Sequence, residues 1–133
     1  MDMDIARHHG ADLNITSIWY IGHPDNFSEF CEFVYTKYPN LINLKVNRNV
    51  DTIPDKLCYR LKYLDCANSS IKSIYYGPHL EYLNAADTKM ELSDVLSKAK
   101  KINYLKIGSI YNNTRLTIDS HNEYIEFLMT YVV

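Results

Sequence analysis

Leucine returns at a nearly fixed interval through the middle of this chain. Leu41, Leu61 and Leu80 are almost evenly spaced, and each opens a segment of one kind: LINLKV, LKYLDC and LEYLNA. Every segment has leucine at its first and fourth places and a small apolar residue at its sixth. A turn follows, and then Ile, or Met90 in the third segment. Side chains alternate along a strand, so places four and six share one side while places three, five and seven share the other. A unit this short cannot bury its apolar side alone. Stacked neighbours can, and an interval of about 20 residues is that of a short solenoid repeat.

The same places can be filled on either side of the middle segments. Upstream, Ile15, Ile18 and Tyr20 take places one, four and six, and downstream Ile102, Leu105 and Ile107 do so. Across residues 13 to 110 the pattern resembles the leucine-rich-repeat family. Asn49 stands at place nine, where the family's asparagine hydrogen-bonds backbone inside the turn; Ser69, Thr88 and Ile110 replace it in the following repeats. The resemblance implies an α/β fold: a right-handed βα superhelix with about five parallel strands on its concave face. It also implies a protein-binding role and no reaction.

A single domain spanning 1–133 is expected. Residues 1–12 form a polar lead, in which the adjacent His8 and His9 point in different directions and supply no metal site. Residues 13–40 form a helix-containing first repeat, because Phe27, Phe30, Cys31, Val34 and Tyr38 make one apolar stripe at helical spacing. Asn26 with Glu29 reads as a capping box for a helix over 26–38. Residues 41–110 hold the central repeats. There Pro54 starts a short helical turn, Gly77-Pro78 forbids a long one, and 91–101 is helical again through Leu92, Val95, Leu96 and Ala99. Residues 111–133 form a C-terminal cap, with Ser120 and Glu123 opening a helix over 121–131. Within 110–118 an Asn-Asn turn fits either an edge hairpin or a truncated sixth repeat.

The register assigns sides. The core takes Ile18 and Tyr20, Leu44 and Val46, Leu64 and Cys66, Leu83 and Ala85, Leu105 and Ile107. The outward face takes Trp19, Asn43, Lys45, Tyr63, Asp65, Tyr82, Asn84, Tyr104 and Lys106, with Ala67, Ala86 and Gly108 leaving space beside them. Tyr63, Tyr82 and Tyr104 should form a ladder with rungs about 4.8 Å apart. Tyr and Trp bury much area at small entropic cost, which makes this outward set the candidate partner-binding site. Tyrosine is also common in this chain, 12 of 133 residues, and its strand propensity alone would place some there.

Composition narrows the function. A formal charge of −2 is not the strongly basic balance of a nucleic-acid-binding domain. Abundant Tyr, Asn, Ile and Lys match chains of AT-rich genomes, including large DNA viruses and protists. Met1 to Gly10 is too polar for a signal peptide, and no apolar run approaches a membrane span, which argues for the cytoplasm, or the host's cytoplasm if viral. The three cysteines, Cys31, Cys58 and Cys66, then read as reduced thiols, of which Cys58 alone has a prospect of exposure. Asp51, Asp55, Asp65 and Asp87 scatter over different faces, and four glycines form no phosphate loop. A non-enzymatic protein-interaction module without cofactor or metal is expected, monomeric or weakly dimeric. Self-association through the aromatic face, or single-stranded nucleic acid stacking on its tyrosines, are the alternatives.

Overall fold

Short apolar-polar alternations, each soon interrupted by a turn, leave room only for brief strands. A computed structural model, which describes residues 10–46, 48–99, 101–108 and 116–119, has strands of that kind. They are β1 (Ser17–Trp19), β2 (Asn43–Lys45), β3 (Tyr63–Asp65), β4 (Tyr82–Ala86), β5 (Tyr104–Gly108) and β6 (Leu116–Asp119). They lie side by side in chain order. The first five are parallel, so the chain is α/β with a five-stranded parallel sheet. Leu44, Leu64, Leu83 and Leu105 are in register, as the repeat requires.

One backbone device repeats at the start of each strand. The carbonyl at place two accepts from the amides at places two and three of the next repeat. Thr16 accepts from Ile42 and Asn43, Ile42 from Lys62 and Tyr63, Lys62 from Glu81 and Tyr82, and Glu81 from Asn103 and Tyr104. The turns after β2, β3 and β4 each contain a residue in the left-handed region: Asn49 (φ 68°), Asn68 (φ 63°) and Asp87 (φ 56°), evenly spaced along the chain. Asn and Asp tolerate that conformation better than other side chains. Ser69 and Thr88 do in these turns what asparagine was expected to do. The Ser69 hydroxyl accepts from the Ile71 amide at 3.4 Å. That of Thr88 accepts from the Met90 amide at 3.2 Å and donates to the Ala85 carbonyl at 2.7 Å.

Helices occupy the other side. α1 (Phe27–Lys37) is continuous with a 3-10 turn at Pro24–Asn26, α2 (Asp55–Cys58) is a single turn, and α3 (Leu92–Lys98) is shorter than the 91–101 expected. One expected helix start is corrected. Asn26 is already helical in its backbone and makes no side-chain cap bond, so no capping box forms with Glu29. The cap is displaced to the 3-10 turn, where His23 Nδ1 accepts from the Asp25 amide at 3.2 Å. Pro54 leads into the short helix α2, as expected, from the cap position (ψ 140°).

Between sheet and helices lies one core containing all the expected inward residues, with Ile18 packed at its margin. Phe33, outside the expected stripe of α1, is also buried, because the helix is covered on a wider arc than that stripe spans. Cys58 is buried as well, contrary to its expected exposure. The extended segment after β3 passes over α2 so closely that a Cβ on Gly77 would lie 2.9 Å from the Cys58 carbonyl oxygen. Only glycine permits that approach.

β6 runs antiparallel to β5, pairing Ile107 with Leu116 and Tyr104 with Asp119. Among the described residues the sheet therefore ends in a returning strand, as in the hairpin alternative, and not in a sixth parallel repeat. The expected helix over 121–131 and the lead over 1–9 lie outside the described residues. Among the described residues no helix is long and apolar enough to cross a membrane.

Candidate interaction face of the sheet

Because places three and five alternate away from the core, each parallel strand contributes two outward side chains, and register sorts them into rows. The first row reads Ser17, Asn43, Tyr63, Tyr82, Tyr104, and the second Trp19, Lys45, Asp65, Asn84, Lys106. All the candidate residues thus fall on one face, in two adjacent rows.

The tyrosine row is tighter at one end. Tyr82 and Tyr104 stack with ring centroids 4.4 Å apart and planes within 5°. Tyr63 and Tyr82 are 6.1 Å apart and tilted by 53°. Tyr63 is 36% exposed, and the other two rings are half-buried. Burial raises the Tyr82 hydroxyl above the ordinary tyrosine range, and the neighbouring Tyr104 and Asp65 add to the shift. Beyond the row's starting edge the Lys62 ammonium lies 5.7 Å from the Tyr63 ring centre and 3.2 Å from the Glu81 carboxylate.

The second row is partly committed to the fold. The Lys45 ammonium sits 4.4 Å from the Trp19 ring centre and 4.0 Å from the Asp65 carboxylate. Asp65 Oδ1 accepts from the Ala67 amide at 3.1 Å, and Asn84 Oδ1 from the Ala86 amide at 3.2 Å, so both brace the backbone just beyond them. Ala86 is buried, so the space expected beside the ladder does not open there. Trp19 remains 55% exposed. Between the two rows is a shallow depression of about 510 Å³ lined by Trp19, Asn43, Lys45, Tyr63, Asp65 and Tyr82.

A second aromatic concentration lies outside the strands, and the repeat register did not reveal it. Tyr59 and Tyr75 are exposed and near-parallel, with centroids 6.4 Å apart. Tyr35 lies under both Lys56 (4.5 Å) and Arg60 (4.0 Å). These residues come from segments between strands, where no periodicity assigns sides. The only signal available was their aromatic character.

No family model matches the chain, and neither the curated proteins nor the solved structures compared with it give a match.

Proposed function

We propose that this chain is a leucine-rich-repeat solenoid whose outward sheet face binds a partner protein, without catalysis. The carrying observation is the unbroken row Tyr63–Tyr82–Tyr104, held in register on adjacent strands beside the exposed Trp19. The parallel strands in chain order, the recurrent left-handed turns and the hydroxyl bonds of Ser69 and Thr88 support the repeat reading. Aromatic rings fixed by their neighbours lose little entropy on binding, and a polar row alongside them penalises partners that leave it unpaired. Lys45, Asp65, Asn84 and Lys106, in the row beside the tyrosines, are assigned to orienting the partner.

The same electrostatics disfavour single-stranded nucleic acid. Lys45 is already shared between Trp19 and Asp65, so the face has little positive charge to offer a phosphate backbone. The test is capture of a protein from cytosol by the wild type, with a Tyr63/Tyr82/Tyr104 triple alanine variant alongside. Each single Tyr→Ala change should weaken a captured partner by about 1–3 kcal/mol while the chain stays cooperatively folded, its melting temperature falling only by what the lost ring contacts cost. A partner held equally well by the triple variant would move the site off this face.

A further inference from the structure

Among the described residues, β1 is a sheet edge without the usual protection. From Leu13 to Ile21 the chain carries no charge, proline or glycine. Exposed edges normally carry a lysine, a proline or a bulge, because bare strand backbone pairs with other chains. The bonds of this segment to its neighbour include those of the Thr16 carbonyl and the Tyr20 amide on either side of the β1–β2 ladder. Strand backbone groups alternate, so the amides and carbonyls of Ser17 and Trp19 point the other way. Among the described residues no strand pairs with them, since β1 ends the sheet. Two apolar side chains on this edge are open: Trp19 is 55% exposed and Ile21 69%. Behind them a groove of about 400 Å³ enters the end of the core between Ile18, Tyr20, Phe30 and Val34.

We propose that β1 is a self-pairing edge, through which two copies of this chain join β1 to β1 antiparallel about a twofold axis normal to the sheet. Trp19 of one copy then faces Trp19 of the other, and Ser17 faces Ile21. A second copy is the occupant this strip fits. A twofold contact requires a surface that is its own complement, and an uncharged strip meets itself with no like-charge pair. Leu13–Ile21 itself carries no charge, and the Lys45 ammonium over the Trp19 ring is already shared with Asp65, so a charged partner strand gains little here; the formal charge of −2 leaves little repulsion between copies. Both cores stay on one side of the joined sheet, so both tyrosine rows share one continuous face. Five strand spacings separate the two Tyr63 positions, roughly 24 Å across the strands. So short a strand makes a small interface, and the dimer should dissociate on dilution. The inference does not require the tyrosine row to bind anything.

Sedimentation equilibrium of the full chain over a range of concentrations tests it, together with amide exchange at Trp19. The wild type should pass from one copy to two as concentration rises, with Trp19 exchange slowing in parallel. Ile21→Lys, at an exposed site, should keep the melting temperature and weaken association at least about tenfold. Tyr82→Ala/Tyr104→Ala should associate as wild type does. The proposal is overturned by a wild type that stays monomeric, by an Ile21→Lys variant that dimerises unchanged, or by Trp19 exchange that ignores concentration. Loss of the dimer in the tyrosine variant alone would overturn it too, and would assign self-contact to the face.

Discussion

Tyr82 and Tyr104, on neighbouring strands, hold their rings parallel within 5° at a centroid distance of 4.4 Å. Strand register puts their Cα atoms side by side, and mutual burial presses the rings together. An aromatic pair of this kind is worth about 0.5–1.5 kcal/mol beyond its area, so a Tyr82→Ala/Tyr104→Ala double-mutant cycle should return a coupling of that size. The Tyr82 hydroxyl, raised by burial and by Tyr104, should titrate closer to an ordinary tyrosine in Tyr104→Ala. An NMR titration of Tyr82 that does not move on this substitution would show the stack to be absent in solution.

Core and face should differ sharply in their sensitivity. Leu64 is 1% exposed at the centre of the sheet, and Leu64→Ala should cost about 2–5 kcal/mol. Lys72→Ala, an exposed position just beyond the turn, should stay within about 0.5 kcal/mol of wild type. Chemical denaturation of the two variants decides this, and equal losses would refute the inward register.

The turn after β3 depends on a left-handed residue. Asn68 has φ 63° and donates its backbone amide to the Ala86 carbonyl at 2.8 Å. Asn68→Val should therefore cost about 1–2 kcal/mol, the steric penalty of a Cβ in that region, while Asn68→Gly should be neutral or stabilising. Thermal melts ranking valine above glycine would contradict this geometry.

Alkaline pH should destabilise the fold. Burial pushes the thiols of Cys31, Cys58 and Cys66 from 9.0 up to about 12. Unfolded thiols ionise first, so between those values the unfolded state holds fewer protons and stability falls as pH rises. Below about pH 9 the contribution is fully present. Denaturant midpoints from about pH 8 to about pH 10 should drop, and less steeply for Cys66→Ala than for wild type. Parallel slopes would mean that the Cys66 thiol ionises at its ordinary value in the folded chain.

The division between what sequence determines here and what folding decides follows from the range of the forces involved. Alternation along a strand is local covalent geometry, so the apolar residues at places one, four and six were enough to order five parallel strands and to put Tyr63, Tyr82, Tyr104 and Trp19 on one face. Glycine and proline at 77 and 78 were enough to exclude a long helix there. The use made of each outward side chain was not local. Lys45 is committed by Trp19 and Asp65, which belong to the strands on either side of it and arrive only through strand pairing. Cys58 is sealed by the close passage of Gly77, Ser69 and Thr88 turn out to serve in place of asparagine, and β6 reverses direction against β5. Periodicity settles which way a side chain points; only packing between distant segments settles what it meets.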